Sequence, residues 1–348
     1  MKAQSVSNYG AAAALRALVS KSKADLVKAQ QEATTGTVFD VGLALGTKSG
    51  QSVSLRKEYD RLTVLLDMNN LVQQRMTTTQ TATSAIIDNT QDFLANLTGA
   101  TSTSESGSTI AASARSILNS VTGLLNTSYN GEYIFSGVNT DVKPFADYTE
   151  GGAAQTAIRD AFTAHFGFGV DDPQVANITA DQMTAFLEGD YADQFNDANW
   201  DANWSDASDT VIKSRISPTE TADTSISANA DGFRKTVMSL AMMAEFSTIG
   251  LNNSAFQALT THAMQTTTQA IAETTSEQTA LGLAQSRTSQ AVTRINAQQK
   301  ILNQSVLNLE EVDPYEAATR VNNLKTQIET SYQLTVQLQS MSLLNYLK

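Results

Sequence analysis

The residues able to do chemistry are few and scattered. The 348-residue chain has no cysteine and only two histidines, His165 and His262. Thiolate nucleophiles, disulfides and Cys–His metal sites are therefore excluded. The histidines are far apart and read as surface or satisfied residues rather than bases. No G-x-S-x-G elbow or phosphate-binding loop is present. The most ligand-like pattern is Asp197, Asn199, Asp201, Asn203 and Asp206, which alternate as in a Ca²⁺ loop. Ala202 stands where an EF-hand turn needs glycine, however, and Ser208 where it needs a bidentate glutamate. The segment reads instead as a solvated acidic loop anchored by Trp200 and Trp204, whose spacing of four suits a shared core-facing helix side. No catalytic, cofactor-binding or metal-binding residue is assigned, and an enzyme is not expected.

The elements that must position any functional surface are helices. Four prolines interrupt the chain, and no apolar run reaches the roughly 20 residues of a membrane span. The first ten residues lack a continuous hydrophobic segment, so no cleaved secretory signal is expected. Net charge is −12, and most of it is concentrated in the middle. Residues 131–232 carry 18 acidic and 4 basic groups, while the flanking regions are close to neutral. Self-association of the flanks meets little repulsion, and no basic patch invites nucleic acid.

Periodicity predicts a helix over Ala11–Thr34, closed by Gly36, and an ordered loop or short hairpin over 37–50. A long helix follows over Ser52–Leu97, then a Ser/Thr/Gly linker and a helix over Thr109–Tyr129. Residues 131–230 hold both tryptophans and seven of the twelve phenylalanines. They read as an inserted domain with short helices at Ala153–Phe166 and Ala180–Phe186, and β character at Glu132–Phe135 and Val211–Ser227. Helices return at Phe233–Phe246 and from Asn253 to about Leu307, the latter able to pair antiparallel with Ser52–Leu97. The fold class is thus mainly α with an inserted α+β domain, the flanking regions forming a long antiparallel rod. Three divisions are expected: terminal helices 1–35 with 315–348, a rod of 36–145 with 211–314, and a variable insert of 146–210 whose β segments extend toward 230.

The last helix is anomalous. Asp313 and Pro314 start it, and Val321, Leu324 and Ile328 mark one face. Then Leu334, Leu338, Met341, Leu343, Leu344, Tyr346 and Leu347 spread round its circumference. A helix apolar all round needs burial on all sides. With Leu15, Leu18 and Leu26 of the first helix, these residues are the expected assembly interface.

Four stretches resemble the flagellin superfamily, and most closely its hook-associated proteins of type 3. Asn130-Gly-Glu-Tyr-Ile-Phe-Ser-Gly-Val-Asn-Thr-Asp-Val-Lys-Pro-Phe145 is similar to that family's DGxYxFxGxxTxxxPF segment at Gly131, Tyr133, Phe135, Gly137, Thr140, Pro144 and Phe145. Met341-Ser-Leu-Leu-Asn-Tyr-Leu347 resembles its xSLxNYL terminus. Ala33-Thr-Thr-Gly36 and Glu310–Asn323 add weaker likeness. The Asn-Thr-Asn-like opening of major flagellins is absent, which turns the resemblance toward the junction type.

The resemblance implies a structural protein of the bacterial flagellum, extracellular after export by the type III apparatus. It implies self-association into a ring joining hook to filament. The implied partners are a hook-side junction protein, flagellin on the filament side and an export chaperone, with no nucleic acid, cofactor or membrane insertion. The terminal segments, roughly 1–35 and 315–348, are expected to be unordered in the single chain. A divergent flagellin forming the filament itself stays open, as do a coiled-coil scaffold and a surface-binding module.

Overall fold

The computed structural model describes the backbone of residues 8–99 and 106–346, and side chains over 13–99 and 106–337. The chain divides into two compact units, one of residues 1–64 and 296–348, the other of residues 65–295.

The first unit holds α1 (Asn8–Thr35), α2 (Val41–Leu45), the start of α3 (Ser49–Gly99), the end of α9 (Asn253–Glu310) and α10 (Pro314–Tyr346). Gly36 ends α1 in the left-handed region at φ 71°, its N–H returning to Glu32 O at 2.9 Å. This is the stop that the sequence predicts. Asp313 caps α10, its carboxylate accepting from Tyr315 N at 2.8 Å. The stretch 37–50 differs from the expected loop or hairpin. Asp40 caps Leu43 N at 3.0 Å and starts the short helix α2 instead, so one well-placed Asx cap outweighs three glycines. Of the terminal segments expected to be unordered alone, Asn8–Thr35 and Pro314–Tyr346 are helical and paired here, as α1 with α10, and the remainder lies outside the described residues.

In the second unit α4 (Gly107–Leu125) packs on α8 (Asp231–Phe246). Ile110, Ala114, Leu118, Val121 and Leu125 line the buried face of α4 at intervals of three or four, and α8 is buried almost throughout. Gly107 permits the close approach, since a Cβ there would collide with the Ser247 carbonyl. The α4 helix ends four residues short of the predicted Tyr129, because the chain turns back into a small hairpin, β1 (Ser128–Tyr129) with β2 (Glu132–Tyr133). The long α3 and α9 are tied across by Gln80 Nε2 donating to Gln278 O at 2.8 Å and by Gln285 Nε2 donating to Thr77 Oγ1 at 2.9 Å. Their buried positions follow heptad spacing: Asn69, Met76, Thr83, Thr90 and Leu97 on α3, and Thr267, Thr274, Leu281 and Thr288 on α9.

The inserted elements of this unit are α5 (Ala153–Phe166), α6 (Ala180–Phe186), α7 (Asp197–Asn203) and the hairpin β3 (Lys213–Ser217) with β4 (Glu220–Asp223). Helices α5 and α6 have the predicted bounds. The region expected to be an Asp/Asn loop is helical: Asn196 caps α7 through Asn199 N at 3.0 Å. Trp200 and Trp204 are both buried, their rings stacked 5.9 Å apart, within a cluster that includes Phe145, Tyr191 and Phe195.

Candidate assembly surface

In the first unit α1 and α10 run antiparallel, Glu32 pairing with Arg320 at 3.1 Å while Lys23 lies over the ring of Tyr332 at 5.3 Å. The facing positions follow a strict four-three rhythm: Leu15, Val19, Ser22, Leu26 and Ala29 on α1, and Ala317, Val321, Leu324, Ile328 and Ser331 on α10. The fully covered members are mostly small, namely Ser22, Ala29, Ala317 and Ser331, together with Ile328. Leu15, Leu26, Val321 and Leu324 are half-buried. A seam of alanine and serine brings the backbones close but covers little apolar surface.

The remaining expected interface residues face outward where their side chains are described. Leu18 is 40% exposed and Leu334 45%, joined by Val27 at 61% and Val336 at 64%. Leu338, Met341, Leu343, Leu344 and Tyr346 lie outside the described side chains, and Leu347 outside the described residues. The pair therefore satisfies one stripe and leaves single apolar side chains exposed on other faces.

A clasp that the sequence did not signal locks the joint beside this pair. Thr37 bridges Glu311, with Val38 N donating to Glu310 O at 2.9 Å and Val312 N to Gly36 O at 3.0 Å. The Glu310 carboxylate is buried and accepts from Ser52 Oγ and from Arg56, whose Nε lies at 3.1 Å. Hydrogen bonding to the Arg56 guanidinium holds this carboxyl below the usual carboxylate range, against the opposing effect of burial. Nothing local predicts the clasp, because its partners are hundreds of positions apart in sequence.

In the second unit the segment from Asn130 to Phe145 is a structural buckle. Asn130 and Gly131 both take positive φ, 54° and 85°, as a two-residue hairpin turn requires. Tyr133 N donates to Thr140 O at 2.8 Å. Phe135 is buried edge-on to Phe233 at 5.5 Å, and its carbonyl accepts from Ala228 N at 2.7 Å. Gly137, at φ 62°, lies so near the 208–210 backbone that a Cβ would be 2.6 Å from Thr210 O and closer still to Ser208 O. Pro144 O accepts from Ser205 Oγ at 2.9 Å. Phe145 exchanges two hydrogen bonds of 3.0 Å with the Asn126 side chain, at the end of α4. These motif residues are brought together, but they hold the insert to α4 and α8 rather than forming a surface.

Two further polar centres went unread in sequence. Asn229 accepts from Trp200 Nε1 at 2.8 Å and from Ser205 Oγ at 2.6 Å. The buried Glu245 carboxylate meets Arg159 at 2.8 Å, Arg115 at 3.5 Å and Gln155 Nε2 at 2.7 Å. Burial, reinforced by the Glu245 charge, pushes the Tyr148 phenol up. Both centres are charge or amide networks closed on themselves. The two histidines stay apart: His165 pairs with Asp190 at 2.6 Å, and burial lowers His262 despite the opposing charge of Glu188. Among the described residues no group of three or more His, Cys, Asp or Glu converges on a metal position, and no helix is long and apolar enough to cross a membrane.

Two family models match the chain: the bacterial flagellin N-terminal helical region over residues 6–140 and the bacterial flagellin C-terminal helical region over residues 264–347. Among solved structures, one described as a flagellar hook-associated protein from Vibrio parahaemolyticus matches with a TM-score of 0.51 at 10% identity, covering 76% of this chain and 97% of that one. No curated protein matches the sequence.

Proposed function

The chain belongs to the flagellin superfamily and is a structural subunit of the flagellum, and from that premise we propose that it joins the hook to the filament by self-association of its terminal helices. The observation that carries this reading is the incomplete burial of the α1/α10 pair. Its own contacts use a seam of small residues, while Leu18, Leu334 and Val336 stand exposed. Apolar side chains left exposed beside a helix-pair seam gain most by meeting their like on a neighbouring copy. Leu338, Met341, Leu343, Leu344, Tyr346 and Leu347 add further apolar residues in sequence.

On this reading Leu18 and the residues from Leu334 onward meet neighbouring copies, while Leu15, Leu26, Val321, Leu324 and Ile328 hold α1 against α10 within each copy. Residues 1–35 and 315–348 are the assembly region, 36–145 with 211–314 the helical scaffold, and 146–210 the variable outward part. A hook-side junction protein and flagellin take the two faces of the ring. The chain leaves the cell by the flagellar export route, and the terminal apolar helix is the segment an export chaperone would cover by groove binding. Its work is mechanical, with no catalytic step.

Truncation after Tyr332 tests the assembly claim. The shortened chain should keep the buried tryptophan emission of its insert and sediment as a monomer at concentrations where the full chain assembles. Unchanged assembly of the truncated chain would refute it.

A further inference from the structure

A pocket of about 250 Å³ opens on the insert, between the C-terminal end of α5, the short 3-10 turn Pro173–Asn177 and the start of α6. Phe166 and Phe168, both half-buried, give it an aromatic wall. Gly167, at φ 78°, ends α5 and turns the chain between them. Gln174, Asn177, Gln182 and His165 supply a polar wall. Each part of that wall is pinned from behind. Asn252 Nδ2 donates to Ala176 O at 2.9 Å and to Ile178 O at 2.6 Å, fixing the backbone on either side of Asn177. Asp172 accepts from Gln174 N at 2.8 Å. Gln182 Oε1 accepts from Thr179 N at 2.9 Å within a capping box. Asp190 holds His165 Nδ1 at 2.6 Å, and the imidazole stands edge-on to Phe166 at 4.7 Å. Left without a hydrogen-bond partner among the described residues are the side-chain amides of Gln174 and Asn177, Gln182 Nε2 and His165 Nε2.

We propose that this pocket binds one neutral pyranose ring. Its lining selects that occupant. No acidic, lysine or arginine side chain lines it, so a phosphate, carboxylate or ammonium group would lose water there without gaining a counter-charge. A purely apolar guest would cover the amides and leave them unpaired. A pyranose satisfies both walls at once. Its C–H face lies on an aromatic ring, and its hydroxyls each donate and accept, matching amides that offer both functions side by side. The volume lies below that of clefts for drug-sized ligands and suits a single ring. Phe166 and Phe168 are already in contact, their centroids 5.9 Å apart at 32°, so a flat base has no slot between them. The site belongs to the insert and shares no residue with the terminal helices, so its failure would leave the assembly reading untouched.

Saturation-transfer NMR on the full-length chain, with galactose, mannose and N-acetylglucosamine as probes, tests the proposal. At least one of them should bind saturably in the millimolar range expected of so small a ligand, its ring C–H protons receiving the strongest transfer. Gln174→Ala and Asn177→Ala remove amides that make no side-chain bond within the chain. Each should weaken that binding about tenfold while the thermal midpoint stays level. Phe168→Ala should abolish it; should that variant misfold, the two amide variants decide alone. No saturable binding of any of the three sugars, or wild-type affinity in both amide variants, would overturn the proposal. So would tighter binding of adenine or of glucose 6-phosphate than of the neutral sugars, which would assign the pocket to a base or to an anion.

Discussion

Replacing Gly137 by alanine should unfold the insert far more readily than the same change at Gly131, although both glycines belong to one motif and both have positive φ. At Gly131 a Cβ meets nothing within 4 Å, so the cost is the left-handed strain alone, about 1 kcal/mol. At Gly137 the same strain is joined by collision with the carbonyls of Ser208 and Thr210. Relieving the collision pulls apart two bonds that join these strands, Val138 N to Thr210 O at 3.1 Å and Ser208 N to Ser136 O at 3.0 Å. Each such bond contributes about 1 kcal/mol net. The total for Gly137→Ala is therefore about 3–4 kcal/mol. With a urea dependence of about 3 kcal/mol per molar, the midpoint falls by about 1 M for Gly137→Ala and by about 0.3 M for Gly131→Ala. Emission of Trp200 and Trp204, both buried in the insert, reads the transition where the damage occurs. Equal midpoint shifts would show that the close approach of 137 to 208–210 does not hold the insert.

Other perturbations separate the remaining parts of the account. Asn229→Ala removes the acceptor of Trp200 Nε1 and Ser205 Oγ and should cost about 3 kcal/mol in the same fluorescence transition. Arg56→Ala strips Glu310 of its guanidinium. Because Arg56 is half exposed, the loss should be only about 1–2 kcal/mol in thermal unfolding at neutral pH. The Glu310 carboxyl is held low in the folded chain, so its stabilising contribution is present above the unfolded carboxylate value and lost as pH falls through the folded one. The difference between wild type and Glu310→Gln should therefore shrink on acidification; a difference that grows toward acid pH would contradict the assignment. Amides of α1 and α10 should exchange faster in the monomer than those of the buried α8 and slow on assembly, which mass-resolved hydrogen exchange can follow.

Much of the fold was legible because it is periodic. Helices α5 and α6 and the starts at Asp313 and stops at Gly36 follow from local rules that tertiary contacts did not override. The helix α2 was missed because glycines at 42, 46 and 50 outvoted the single Asp40 cap. The Asp/Asn segment was read as a loop, whereas the burial of Trp200 at the centre of an aromatic cluster favours a helix there. What sequence could not supply were meetings between distant positions: Glu310 with Arg56, Glu245 with Arg115 and Arg159, and Asn229 with Trp200. The anomaly of the last helix was visible as excess apolarity. Its seam with α1 was legible at Leu15, Leu26, Val321, Leu324 and Ile328 but not at the alanines and serines between them, which carry little signal in a hydrophobic pattern.

The junction role is tested most directly in cells that lack this chain, imaged by electron microscopy while the medium is assayed for filament subunit. Cells bearing hooks without filaments, with filament subunit released to the medium and filaments restored by the full chain, are the predicted result. Normal filaments in those cells would contradict it.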